Sequence, residues 1–82
     1  MKRVRFRIPP EITIQDRILN IRRKIRLTDD ISLRMFARFQ QSTGTKYRIC
    51  SELYQKEIAI DKPLRSQGIL PGDILNVLPV NV

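Results

Sequence analysis

Apolar and polar residues alternate from the second residue of the chain. Residues 2–8 place arginines and apolar side chains on opposite sides of an extended backbone, in the order Arg3, Val4, Arg5, Phe6, Arg7, Ile8. A period of two predicts a strand with one buried face. The prolines at positions 9 and 10 should end this strand, because proline has no N–H to donate to a neighbouring strand.

A second alternating stretch covers residues 21–28 and predicts a strand that pairs with residues 2–8 as a hairpin. Its apolar side is formed by Ile21, Ile25 and Leu27, and its basic side by Arg22, Lys24 and Arg26. Arg23 falls on the apolar side, which predicts a position near the strand end or a side chain that snorkels. Between the two strands, Gln15-Asp16-Arg17 interrupts the alternation. A widened hairpin and a short helical turn both stay open for residues 9–20.

One amphipathic helix is predicted over residues 32–43. Asp29-Asp30 and Ser32 precede it, and their side chains can accept hydrogen bonds from the unpaired N–H groups of a first helical turn. One stripe at helical spacing is formed by Leu33, Phe36, Ala37 and Gln40, and Met35 and Phe39 widen it. Gly44 follows as a terminator in the left-handed conformation.

The last part of the chain predicts strands at 46–53, at 57–58 and at 74–80. A helical turn at 63–68 ends at a glycine, and Pro71-Gly72-Asp73 reverses the chain before the last strand. With 82 residues and no internal repeat, the chain reads as one domain over 1–82. The element order ββαββ predicts an α+β fold, in which a mixed four- to five-stranded sheet packs on one helix.

This order resembles the ubiquitin superfamily, and the most specific stretch is 58–78. The residues that carry the resemblance are Leu64, Gly68-Ile69, Gly72-Asp73, Leu75 and Val77. The resemblance implies a ubiquitin-like β-grasp fold in which Leu64 and Ile69 close the core. It also implies that Leu75 and Val77 face Leu33 and Phe36.

Within that superfamily, the chain resembles the small bacterial YukD/EsaB-type proteins of type VII secretion. They are of similar length, begin directly on the first strand and stop directly after the last, although this chain is more basic than is typical of them. That resemblance implies an accessory role in a secretion machine. Conjugating members of the superfamily end in Gly-Gly, whereas this chain ends Pro79-Val80-Asn81-Val82. We therefore expect neither conjugation nor sulfur carriage by this tail, and non-covalent binding is the expected activity.

The residue types of the chain argue against catalysis. Histidine is absent and Cys50 is the only cysteine, so the commonest general base and a cysteine-rich zinc site are both missing. We expect no enzyme activity, no metal and no cofactor. Asp29-Asp30 could contribute to a hard-cation site, but such a site needs more oxygen ligands than this part of the sequence offers. A cap at the start of the helix is therefore the simpler interpretation of this acid pair. Cys50 could be a reactive thiol beside Arg48, but an ordinary strand residue is the simpler interpretation.

The net charge of +8 is concentrated in the N-terminal half. Residues 1–48 hold 13 of the 16 Lys and Arg residues against four acids, and residues 49–82 hold three against four. The predicted hairpin would gather one basic face: Arg3, Arg5, Arg7, Arg22, Lys24 and Arg26. This distribution predicts an anionic partner, and the alternative is that the charge only keeps the domain soluble.

Three kinds of anionic partner fit such a face: an acidic protein surface, nucleic acid and anionic lipid. Nucleic-acid binders of the sheet type usually expose aromatic side chains for base stacking, and this chain has few to expose because its three Phe residues are core candidates. An acidic protein partner is therefore favoured over nucleic acid.

A second candidate surface lies on the last strand. If Leu75 and Val77 face inward, then Ile74, Asn76 and Leu78 face outward, near Arg48. These residues form a candidate protein-binding surface, unless the termini or loops of the chain cover them. The sequence has no apolar stretch of about 20 residues and no signal-peptide core, so a soluble, cytoplasmic protein is expected.

Overall fold

The structure is a computed structural model that describes residues 10–34, 44 and 46–80. Within these residues, five strands form one sheet: β1 (Glu11–Asp16), β2 (Ile21–Arg26), β3 (Tyr47–Ser51), β4 (Lys56–Glu57) and β5 (Ile74–Pro79). Their order in the sheet is β2-β1-β5-β3-β4. The β1–β5 pair is parallel and the other pairs are antiparallel, so the predicted mixed sheet is confirmed with five strands.

The N-terminal part of the described chain is a hairpin of β1 and β2. β2 pairs with β1, from Glu11 opposite Arg26 to Asp16 opposite Ile21. The pairing predicted between 2–8 and 21–28 involves residues 2–8, which lie outside the described residues. The interruption at Gln15-Asp16-Arg17 is the end of β1. There Oδ1 of Asp16 accepts hydrogen bonds from the N–H groups of residues 18 and 19, both at 2.9 Å, and so shapes the turn.

The predicted helix at 32–43 falls mostly outside the described residues. Of its positions, only 32–34 are described, and they form a bend and the start of a turn. Within the described part of the chain, the sole helical segment is a 3₁₀ helix, Arg65–Gln67. The prediction of a sheet packed on one helix is therefore not supported by the described residues, although Gly44 has the left-handed φ of 67° that a helix terminator requires.

The core lies against one face of the sheet, which we call the core face. Alternate residues of the strands point into it, and Ile12, Ile14, Ile49, Leu75 and Val77 are at most 2% exposed. Burial of their side chains is the main driving force that holds the strands together. Loop residues complete the core: Leu27, Leu33, Ile58, Leu64 and Ile69.

The segment after β4 closes the core as the resemblance implied. Leu64 and Ile69 flank the 3₁₀ helix and are buried. Gly68 ends that helix with a φ of 80°, a conformation that glycine adopts without a steric penalty. The carboxamide of Gln67 clamps the preceding loop, because it accepts from the N–H of Ala59 at 2.7 Å and donates to the carbonyl of Ala59 at 2.9 Å.

Buried polar groups hold the start of β5. Asp73 is 2% exposed and accepts three hydrogen bonds, from the hydroxyl of Ser51 at 2.5 Å, from Leu53 N at 3.1 Å and from Ile74 N at 2.7 Å. The hydroxyl of Ser51 in turn accepts from Tyr54 N at 3.2 Å. Because both side chains are buried with partners, they fix β5 against the β3–β4 turn.

Candidate functional site

The strand register places the described candidate residues on the face of the sheet opposite the core, which we call the outer face. Its residues run across the sheet in strand order: Arg22, Lys24 and Arg26 on β2; Glu11, Thr13 and Gln15 on β1; Ile74, Asn76 and Leu78 on β5; Arg48 and Cys50 on β3; Glu57 on β4. The sequence predicted two separate surfaces, one cationic and one apolar. The structure joins their described members into one.

The cationic part of the outer face is the edge formed by β2. Arg22, Lys24 and Arg26 are all exposed and share one face, as the sequence predicted. The other three members of the predicted basic face, Arg3, Arg5 and Arg7, lie outside the described residues.

The residues opposite the β2 cations change the predicted balance of charge. Gln15 faces Arg22, Thr13 faces Lys24, and Glu11 faces Arg26. No cation of β1 stands opposite a cation of β2, and Glu11 supplies an opposite charge at one end of the hairpin. The β1–β2 pair therefore contains no directly facing like charges, which would destabilise it.

The central part of the outer face belongs to β5. Leu75 and Val77 point into the core, and Ile74, Asn76 and Leu78 point away from it, as predicted. All three outward side chains are half-buried. Arg48 is exposed directly opposite Leu78, and the half-buried Cys50 is opposite Asn76, as an ordinary strand residue.

The sequence analysis missed Arg17, which also reaches this face. Its backbone N–H donates to the carbonyl of Val77 at 3.0 Å, and its side-chain Nε donates to Oδ1 of Asn76 at 3.3 Å. The guanidinium thus lies over β5. A signal was present, because Arg17 continues the period-two series of Glu11, Thr13 and Gln15. The series is hard to recognise from the sequence because Asp16, a charged residue, occupies a position where the alternation requires an apolar one.

A pocket of about 340 Å³ opens at the tip of the hairpin, and we call it the hairpin pocket. Its lining residues are Gln15, Asp16, Arg17, Asn20, Ile21 and Arg22. Two arginines, a glutamine and an asparagine are therefore among the residues that line one small volume. Asn20 adopts a left-handed φ of 56°, which asparagine tolerates better than most residues and which lets the four-residue turn close.

The negative charge at this end of the sheet lies on the core side. Asp16 is 7% exposed, and it shares the core face with Ile12 and Ile14. Burial raises the pKa of Tyr47, and the carboxylate of Asp16 raises it further. This second effect shows that the field of Asp16 acts on a side chain of the core face.

The remaining candidate residues take part in surface contacts. Asp29 forms an exposed ion pair with Arg65 at 3.0 Å, and Thr28 donates its hydroxyl proton to Asp30 at 3.2 Å. Whether Asp29-Asp30 caps a helix involves residues outside the described ones. Within the described ranges, no His, Cys, Asp or Glu cluster of three or more could hold a metal ion. In the same ranges, no helix is both long and apolar enough to span a membrane.

Comparison with known proteins shows the fold alone. No family model matches the sequence, and no curated protein matches it. Among solved structures, a de novo designed protein based on ubiquitin superimposes with a TM-score of 0.60. The match covers 88% of this chain and 89% of the designed chain, at 17% sequence identity. The chain therefore has a ubiquitin-like fold.

Proposed function

We propose that the chain is a non-catalytic ubiquitin-like module that binds a protein partner through the outer face. The observation that carries this proposal is the arrangement of Ile74 and Leu78, two half-buried apolar side chains on a face bordered by arginine and lysine. An apolar centre with a charged border is the usual anatomy of a protein–protein interface.

Charge supports a partner with an acidic surface. The described cations of the outer face are Arg17, Arg22, Lys24, Arg26 and Arg48, whereas the strand register places two acids there, Glu11 on β1 and Glu57 opposite Cys50 on β4. A complementary acidic surface would be steered toward this face and held in one orientation on it.

Three finer statements belong to the same proposal. The proposed partner is a component of a type VII-like secretion system, because the chain resembles YukD/EsaB-type proteins in length. The cytoplasm is the proposed compartment. The helix predicted over 32–43 is proposed to cover the core face, where Leu33 is fully buried, and would leave the outer face free.

The test is affinity capture with wild-type protein and two outer-face variants, Ile74→Asp and Leu78→Asp. A control, Leu70→Asp, makes the same change at an exposed residue outside the sheet. We expect the two variants to lose the captured protein and the control to keep it, because a buried aspartate would disrupt the apolar centre of the interface. If both variants fold and bind like wild type, the outer face is not the binding surface.

Nucleic-acid binding is a second candidate, and the exposed row of Arg22, Lys24 and Arg26 favours it. Contacts from these cations to phosphates would release counterions, so affinity should fall steeply as salt rises. A titration of several RNA and DNA oligomers over a range of salt concentrations tests this candidate. Absence of salt-sensitive binding at low ionic strength would exclude it.

A further inference from the structure

The hairpin pocket has the composition of a site for an anion. We propose that it binds a carboxylate side chain of an acidic protein partner, held by Arg17 and Arg22. This proposal rests on the proposed function, since the pocket borders the outer face. It adds to that function a particular site and the chemistry of the group that the site takes.

The first argument is the donor set. Arg17 is anchored by the hydrogen bond from its Nε to Asn76, at 3.3 Å. A guanidinium has further N–H groups on its terminal nitrogens. No described residue accepts a hydrogen bond from those groups of Arg17. The guanidinium is therefore held in one orientation while its terminal N–H groups remain available to a ligand. Arg22 lines the same pocket with the carboxamides of Gln15 and Asn20 beside it.

The second argument concerns Asp16, the one acid that lines the pocket. Its Oδ1 already accepts two backbone N–H groups of the hairpin turn. The carboxylate is buried on the core face, and its effect on the pKa of Tyr47 is exerted there. Asp16 therefore shapes the turn that presents Arg17, without forming an ion pair with Arg17 or Arg22.

The third argument identifies the occupant as protein. The pocket borders a face on which Ile74 and Leu78 are half-buried apolar side chains, so a partner that offers an acidic group beside an apolar one fits both. A protein surface offers both groups. A nucleic acid would use exposed aromatics for stacking, but of the two aromatic residues in the described ranges, Tyr54 lies in the β3–β4 turn, with the Nζ of Lys56 at 5.7 Å from its ring centre, and Tyr47 belongs to the core face.

The experiment is an NMR titration of the ¹⁵N-labelled full chain with an acetylated hexaglutamate peptide. A hexalysine peptide, inorganic phosphate and a thymidine oligonucleotide serve as comparison probes. We expect saturable shifts at residues 15–22 and at the Arg17 Nε resonance with hexaglutamate. An oligonucleotide that binds more tightly through the same residues would overturn the assignment of a protein carboxylate, and so would phosphate binding that hexaglutamate cannot displace.

Variants separate the pocket from net charge. Arg17→Gln and Arg22→Gln should each weaken hexaglutamate binding by about tenfold or more, the loss expected for one charge-assisted hydrogen bond. The matched control is Arg23→Gln, which removes the same charge from an exposed residue on the opposite face of β2. If all three variants weaken binding equally, the effect is non-specific attraction and the site is wrong.

Asn76 provides a test of the orientation of Arg17. Asn76→Asp keeps the shape of the side chain but gives Arg17 an internal carboxylate, so it should abolish binding, whereas Asn76→Ala should weaken it only about two- to threefold. Equal effects of both changes would show that Asn76 does not position Arg17. The wild-type protein could fail to bind hexaglutamate and still capture a protein partner that Ile74→Asp loses. That result would reject this site and leave the proposed function standing.

Discussion

The two faces of the sheet differ most clearly along β5, where neighbouring residues of one strand have opposite surroundings. Leu75 and Val77 have no exposed surface and contact the core. Ile74, Asn76 and Leu78 alternate with them and are half-buried on the outer face. Two leucines three positions apart on the same strand therefore have different roles, since one stabilises the fold and the other is available to a partner.

This contrast teaches that, along β5, the odd-numbered residues should determine stability and the even-numbered residues should determine binding. The core face carries apolar contacts and the buried Asp73–Ser51 pair, both of which contribute to the free energy of unfolding. The outer face carries cations and two apolar side chains that are only half-buried and so contribute less to that free energy. Substitutions on the two faces can test whether this division holds.

The largest effect is expected for Leu75→Ala. Loss of a fully buried leucine should lower the free energy of unfolding by about 2–5 kcal/mol, because it leaves a cavity in a packed core. Leu78→Ala is the matched change on the outer face and should cost less than about 1.5 kcal/mol. Chemical denaturation followed by circular dichroism measures both. Equal losses would show that the outer face is covered and would break the comparison.

A smaller loss is expected for Asp73→Ala, which would leave Ser51, Leu53 N and Ile74 N without their acceptor. The cost should be about 2–3 kcal/mol, since these donors are buried or partly buried. Asp73→Asn retains one carbonyl oxygen and should cost about half as much. If the free energy of unfolding of the alanine variant falls by less than about 0.5 kcal/mol, water satisfies the donors equally well.

At the segment that closes the core, Gly68→Ala should cost about 1 kcal/mol, because alanine pays a steric penalty at a φ of 80°. A Cβ at this position would meet only Lys56 Nζ, at an ordinary 3.5 Å, so crowding adds little. Asn tolerates the left-handed region, and Gly68→Asn should therefore cost less than Gly68→Ala. The same denaturation measurement ranks the two variants. The reverse order would contradict the conformational explanation.

The smallest effect is a pH dependence at the core face. The pKa of Tyr47 lies above its ordinary value of 10.0 because of burial and the charge of Asp16. The unfolded chain therefore loses this proton at a lower pH than the folded protein does. The stabilisation is complete below pH 10.0 and is lost as pH rises through the folded pKa. Comparing the alkaline stability of wild type with Tyr47→Phe should show a shallower decline in the variant. Identical declines would assign the loss to other groups.

Prediction from sequence succeeded where a local pattern decides the outcome. The last strand, the Gly68 terminator and the inward direction of Leu75 and Val77 all follow from spacing within a few residues. Prediction was less specific for residues 9–20, where a widened hairpin and a helical turn both stayed open, whereas the structure has a strand, Glu11–Asp16, paired with β2. The alternation of this strand is hard to recognise because Asp16 stands at an apolar position. That carboxylate is buried because it makes hydrogen bonds to the turn, which periodicity cannot anticipate.

The candidate site shows the same division. The sequence by itself determined which side chains share a face of each strand, because successive residues of a strand point in opposite directions. Only the tertiary structure decided which strands lie side by side. The parallel pairing of β1 with β5 brings Arg17 to Asn76 across 59 positions of the chain, and it merges the cationic and apolar surfaces into one outer face. Contacts of that separation depend on the packing of the whole core, so no local pattern in the chain encodes them.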